Sequence, residues 1–160
     1  MPDGSIVNKT QAGVITLDAL IIGAGFSGLY QLLSLRDKLG LKAKVVEAGD
    51  GVGGTWYWNR YPGARCDSES HSYSYYFDKE LLEEWQWSER YPGHAEVVRY
   101  LNYAADKLDL KRDIHFNSRV LSAHYSQSEN RWIVKTEDGR EFVCTYLITA
   151  VGCLSSTNIP

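Results

Sequence analysis

The chain has 160 residues, the size of one domain, with 17 Lys and Arg against 20 Asp and Glu and a net charge of −3; that balance argues against a nucleic-acid binder, which needs a basic face. Its 44% hydrophobic and 23% charged residues fit a folded globular chain rather than a disordered one, and its apolar runs are too short to span a membrane. No basic and apolar leader opens the chain, and three scattered cysteines (Cys66, Cys144, Cys153) read as reduced thiols, so a cytoplasmic location is expected.

Residues 1–14 lack sustained periodicity and are expected to form an arm, followed by one domain over 15–160. Thr16–Ile22 is short, apolar and bounded by Gly23, as a buried strand is. A helix is expected over Ser27–Leu39, with Leu29, Leu32, Leu33 and Leu39 on one face and Gly40 as its stop. Lys42–Glu47 reads as a second strand, parallel to the first because a helix joins them. Residues 48–75 are Gly-rich and aromatic without clear periodicity, a length that marks a functional segment. Glu80, Glu83 and Glu84 read as a solvated helix face. A helix over Ala95–Leu108 carries Val97, Leu101, Ala104, Ala105 and Leu108 on one side. Ile114–Phe116, Val120–Tyr125, Arg131–Thr136 and Arg140–Cys144 are strand-like, with Asp138-Gly139 as a hairpin turn. Tyr146–Val151 reads as a last, buried strand. The expected fold is α/β: a Rossmann-type parallel sheet with a βαβ start, carrying an antiparallel β-meander.

Gly23-Ala24-Gly25-Phe26-Ser27-Gly28 is G-x-G-x-x-G, and it ends a predicted strand and opens a predicted helix. In that setting Gly23 makes the tight turn, Gly25 admits a diphosphate and Gly28 lets helix and strand pack closely. The helix start supplies free amides and partial positive charge. Glu47 closes the second strand, nineteen residues after Gly28. A carboxylate there accepts hydrogen bonds from ribose hydroxyls and repels a 2′-phosphate, which points to FAD or NAD rather than NADP. On chemistry alone Arg65 and Asp67 read equally as a surface ion pair, and Trp56 and Trp58 equally as core. The histidines His71, His94, His115 and His124 show no metal-ligand spacing, and no metal is expected.

Gly53-Gly54-Thr55-Trp56-Tyr57-Trp58-Asn59-Arg60-Tyr61-Pro62-Gly63 and Arg65-Cys66-Asp67-Ser68-Glu69-Ser70, with the glycine motif and Val45-Val46-Glu47-Ala48-Gly49, resemble the amino-terminal part of Baeyer–Villiger monooxygenases of the cyclohexanone and phenylacetone monooxygenase group. Thr149-Ala150-Val151-Gly152 resembles the family's second flavin-side motif, with Val151 where Thr is commoner. The resemblance runs from about residue 16 to the end and stops ahead of the family's F-x-G-x-x-x-H-x-x-x-W-P fingerprint. It therefore implies the first half of an FAD-binding domain, without the NADP domain, and a segment not expected to be catalytically competent alone.

The resemblance implies that Gly23, Gly25, Phe26, Ser27 and Gly28 hold the FAD diphosphate and Glu47 its ribose. Gly54, Thr55, Trp56 and Trp58 would line the flavin side, with Tyr73 close by. Val120 would offer backbone to the adenine, and Ala150 would lie on the strand returning to the cofactor. Asp67 would sit near the isoalloxazine as the one catalytic candidate, and Arg65 and Asp67 lie in a stretch that also touches NADP in the family. The implied activity is that of an NADPH-dependent flavoprotein that uses O2 to place an oxygen atom beside a ketone carbonyl, giving an ester or lactone. The competing readings are a stand-alone FAD-binding module and another class B flavin monooxygenase, N-hydroxylating or flavin-containing.

Overall fold

The structure is a computed structural model and describes residues 13–155; most of the expected arm lies outside them. Six strands form one sheet in the order β3-β2-β1-β6-β5-β4. They are β1 (Ile15–Ile22), β2 (Ala43–Val46), β3 (Ile114–His115), β4 (Val120–Ser126), β5 (Arg131–Thr136) and β6 (Glu141–Thr149). β1 runs parallel to both β2 and β6, and β2 is parallel to β3. β4, β5 and β6 form the antiparallel meander. The expected Rossmann-type sheet with its meander is the observed one.

β1 is central, so its apolar run is closed off from water on both faces. Ala19, Leu20 and Ile21 are fully buried. On one face the sheet packs against α1 (Phe26–Leu33) and α4 (His94–Lys107) through Leu29, Leu32, Val97, Leu101 and Ala104. On the other, β4 and β5 close over Leu17, Leu20 and Val46 with Val134, Val120 and Trp132.

Three expectations change in the structure. The helix expected over Ser27–Leu39 is α-helical only to Leu33 and continues as a wider π turn over Ser34–Lys38. That turn presents Arg36 to the end of α4, where it donates to the carbonyls of Leu108 (2.9 Å) and Asp109 (2.7 Å). The two strands expected at Arg140–Cys144 and Tyr146–Val151 are the single strand β6. Nor is its second half buried, since Tyr146 is 58% exposed. Within 48–75, where no periodic element was expected, a single helical turn, α2 (Thr55–Trp58), follows Gly54. The acidic stretch forms α3 (Lys79–Glu84), capped by Asp78 and anchored by buried Leu81.

Candidate cofactor site

The strands β1, β2 and β6 end together, and the chain leaves β1 towards β2 on one side while β6 lies on the other. Such a switch point opens a crevice beyond the carboxyl ends of the strands. Here it is a cleft of about 910 Å³ lined by Gly23–Ser27, Val46–Ala48, Gly53–Trp56 and Thr149–Gly152, with Trp58, Asn59, Tyr73 and Ser118–Val120 at its flanks.

Its floor depends on missing side chains. A Cβ at Gly28 would lie 1.8 Å from the Gly23 carbonyl oxygen, so α1 meets the turn backbone to backbone. Gly25 and Gly54 face each other, and a Cβ on Gly25 would stand 3.3 Å from the Gly54 Cα. The closest approach between the two loops is thus made by bare backbone, open to the cleft.

Gly25 caps α1 without a side-chain hydrogen bond. The amides of Phe26, Ser27 and Gly28 find no acceptor among the described residues. They are the unpartnered donors of a helix start, with the positive end of the helix dipole behind them. An anionic diphosphate suits this place.

Glu47 is buried, with only 3% of its surface exposed. Its Oε2 accepts from the Ala24 amide (2.7 Å) and its Oε1 from the Gly49 amide (2.8 Å). A carboxylate has about four lone-pair sites, so these bonds fix the group and leave acceptor capacity facing the cleft. The Glu47 carbonyl accepts from the Ser118 amide at 2.8 Å. This gathers residues 118–120 beside the carboxylate. The Ser118 hydroxyl in turn reaches Asp138 Oδ2 at 2.6 Å.

The other flank is aromatic. Trp56 Nε1 donates to the Tyr73 hydroxyl oxygen at 3.0 Å, and the two rings meet edge to face. Tyr73 also stands edge-on to Phe26. Burial pushes the Tyr73 phenol above its ordinary range, against a smaller opposing effect of the Trp56 hydrogen bond. Tyr75 donates its hydroxyl to the Phe26 carbonyl at 2.7 Å, tying the start of α1 to this cluster.

Of the site residues expected from sequence, Gly23, Gly25, Phe26, Ser27, Glu47, Gly54, Thr55, Trp56, Trp58, Tyr73, Val120 and Ala150 line this one cleft. Gly28 lies beneath it, against the turn. Arg65 and Asp67 do not line it. Arg65 bridges to Gly93 by backbone and pairs its side chain with Glu89 and the Tyr91 carbonyl, not with Asp67. Ala24, Asn59, Ser118 and Arg119 line the cleft without having been singled out. For Ser118 and Arg119 the only signal was their place just ahead of Val120.

A family model described as an NAD(P)-binding Rossmann-like domain matches residues 21–84. Acetone monooxygenase (methyl acetate-forming) of Gordonia sp. (strain TY-5) is 50% identical over 88% of this chain and 26% of the relative. Cyclohexanone 1,2-monooxygenase of Acinetobacter sp. is 47% identical over 89% of the chain and 26% of the relative. A phenazine N-monooxygenase of Lysobacter antibioticus is 46% identical over 89% of the chain and 26% of the relative. A closed crystal structure of cyclohexanone monooxygenase superposes with a TM-score of 0.89 at 44% identity, covering 92% of this chain and 28% of that one. The chain spans about a quarter of the length of the relatives it matches. In sequence and in fold it is homologous, over about nine-tenths of its length, to the amino-terminal part of the Baeyer–Villiger-type monooxygenases.

Proposed function

We propose that this chain binds FAD and is the cofactor-binding part of an NADPH-dependent Baeyer–Villiger monooxygenase acting on a ketone with O2. The observation that carries the reading is the pairing, in one cleft, of an amide-lined glycine turn with a buried carboxylate at the next strand end. The α1 amides and Gly25 bind the diphosphate, and Glu47 accepts the ribose hydroxyls. The backbone at Val120 meets the adenine, while Trp56, Trp58 and Tyr73 flank the flavin ring and exclude water from it. Ala150 holds the β6 end against the Gly23 turn. Asp67 stays a candidate for the flavin environment through its neighbour Tyr73, and Arg65 for contact with NADP.

When bound and reduced by NADPH, FAD supplies the electron pair with which one atom of O2 enters beside the ketone carbonyl while the other leaves as water. Residues 15–160 form one FAD-binding unit on this reading, and the protein works in the cytoplasm. Among the described residues no helix is long and apolar enough to cross a membrane.

The test is titration of the purified protein with FAD, followed by flavin absorbance and fluorescence. Saturable binding of one FAD is expected, and absence of binding overturns the reading. NADPH-dependent conversion of a ketone to an ester or lactone, assayed with the whole polypeptide, tests the oxygenation. A second reading, oxygenation at nitrogen, is favoured by the phenazine N-monooxygenase, nearly as similar as the ketone enzyme. An N-heterocycle assayed beside the ketone separates the two.

A further inference from the structure

The Asp138-Gly139 turn between β5 and β6 reaches further than a turn requires. Asp138 Oδ1 accepts from the Thr136 hydroxyl at 2.6 Å and from the Arg140 amide at 3.3 Å, the bonds by which an aspartate closes its own turn. Its Oδ2 is directed outside the hairpin, to a residue twenty positions away: the Ser118 hydroxyl donates to it at 2.6 Å. A hydroxyl has one hydrogen to give. The Phe116 carbonyl is farther, at 3.0 Å, and uncharged, so the carboxylate takes that hydrogen. Arg140 closes the triangle, donating to the Ser118 hydroxyl oxygen at 2.8 Å and to Asp138 Oδ2. Burial alone would raise the Asp138 carboxyl, but the Ser118 and Thr136 hydrogen bonds hold it below its ordinary range, so it is charged at neutral pH. An ion pair thus fixes one serine that is 1% exposed.

That serine belongs to the wall of the cleft, whereas Asp138 does not line it. Residues 118–120 stand there beside Glu47. The chain enters them through Asn117, whose φ of +52° is left-handed. A residue other than glycine keeps that conformation where its surroundings over-determine it. On the β2 side the Asn117 amide donates to the Gly49 carbonyl (2.9 Å) and the Ser118 amide to the Glu47 carbonyl (2.8 Å). On the hairpin side the Glu137 amide donates to the Arg119 carbonyl (2.8 Å). The wall therefore bridges the end of β2 and the β5–β6 turn, with the Ser118–Asp138 bond as a side-chain clamp across it. Resting on the reading that the cleft holds FAD, we infer that Asp138 is a positioning residue for the adenosine end of the nucleotide: through the Ser118 hydroxyl it holds residues 118–120 at their set distance from Glu47. On that reading the diphosphate is held by the α1 amides and the flavin by other residues, so the effect belongs to the half of the ligand that FAD shares with ADP.

The experiment titrates FAD into the protein and into Asp138→Asn, Ser118→Ala and the double variant. ADP, which carries adenosine and diphosphate but no flavin, is measured by its displacement of FAD, and urea unfolding of each variant is measured beside it. Each single variant is expected to weaken FAD and ADP by the same factor, about three- to tenfold, the worth of one hydrogen bond. The double variant is expected to bind no more weakly than the weaker single one, because both substitutions remove one link. Thr136→Val removes a turn-closing bond but leaves Ser118 bonded to Asp138, and is expected to lower stability with ADP affinity unchanged. Lower stability with unchanged affinity in the single variants overturns the inference and leaves Asp138 a turn residue. A loss for FAD alone overturns it too, since that places the effect at the flavin, and so do additive losses in the double variant or a matching ADP loss in Thr136→Val. If Asp138→Asn does not fold, Ser118→Ala decides, since it leaves the amide bond to Glu47 in place. A protein that binds no FAD before any substitution overturns the FAD reading and the inference together, whereas one that binds FAD and fails these comparisons overturns the inference alone.

Discussion

Gly25 and Gly28 stand three residues apart in one motif but do different work, and substitution separates them. At Gly28 an added Cβ meets the Gly23 carbonyl at 1.8 Å, and neither backbone can yield. Gly28→Ala is expected to cost about 3 kcal/mol of stability in denaturant unfolding. At Gly25 the nearest neighbour is Gly54 Cα at 3.3 Å and the rest is cleft. Gly25→Val is therefore expected to lose FAD and ADP alike in ligand titrations, with a smaller stability loss in denaturant unfolding. Glu47 combines both roles. Glu47→Ala leaves the Ala24 and Gly49 amides without the carboxylate they now share, so it is expected to cost about 1–3 kcal/mol even without ligand, beyond weakening FAD. The place of these residues in or beneath one cleft was legible because each motif is contiguous and its chemistry is local. Ser118 and Arg119 were not, since a long-range amide bond to Glu47 brings them in. Arg65 and Asp67 suggested each other by adjacency, yet Arg65 turns to Glu89 across the fold.

Elements follow their sequence where periodicity stays local and depart from it where tertiary contacts intervene. In β6 the inward positions are Cys144 and Leu147, three apart, and their partners in β1 are Leu17 and Leu20, also three apart. The inward side switches parity in both strands together. The Asp18 and Ala19 amides converge on the Lys42 carbonyl at that point. Alternation therefore breaks at Thr145 while the ladder continues, which is why one strand reads as two. The π turn has a similar origin in contacts, since Arg36 serves partners more than seventy residues away. Arg36 bonds Asp113 Oδ2 at 3.0 Å, and Lys44 of β2 bonds its Oδ1 at 2.7 Å. Burial alone would raise the Asp113 carboxyl, but these two cations hold it below the usual carboxylate range. A carboxyl lowered in the folded state contributes stability that is complete above its unfolded value, about pH 4, and is lost as pH falls through the folded value. Asp113→Asn is expected to cost about 1–3 kcal/mol at neutral pH. It should also flatten the acid limb of stability against pH, measured by urea unfolding. Asp138, lowered by Ser118 and Thr136 hydrogen bonds against its own burial, leaves a residual slope of the same sign.

At the scale of the molecule the cleft is a seam. The turn after β1, the end of β2, the Gly53–Gly54 loop, residues 118–120 and the end of β6 all line it. The parallel pairing of β1 and β2 was legible because one helix between two strands dictates it. The return of β6 beside β1 carried no local signal beyond its resemblance to a flavin-side strand. A ligand that touches all five segments binds only the folded chain and stabilises it by mass action. At a hundred times its dissociation constant FAD is expected to add about 2.7 kcal/mol, a rise of roughly 5–11 °C in Tm for a domain of this size. On the proposed reading, in which Glu47 takes the ribose hydroxyls, NADP is expected to give a far smaller rise, because the carboxylate, held in place by two backbone amides, would repel its 2′-phosphate. Thermal unfolding with each nucleotide checks both. Equal shifts for FAD and NADP would remove Glu47 from the ribose position, and no shift with FAD would mean that the seam is not bridged. In Gly25→Val the FAD shift should vanish while the unfolding transition stays cooperative, since that substitution fills the seam rather than the core.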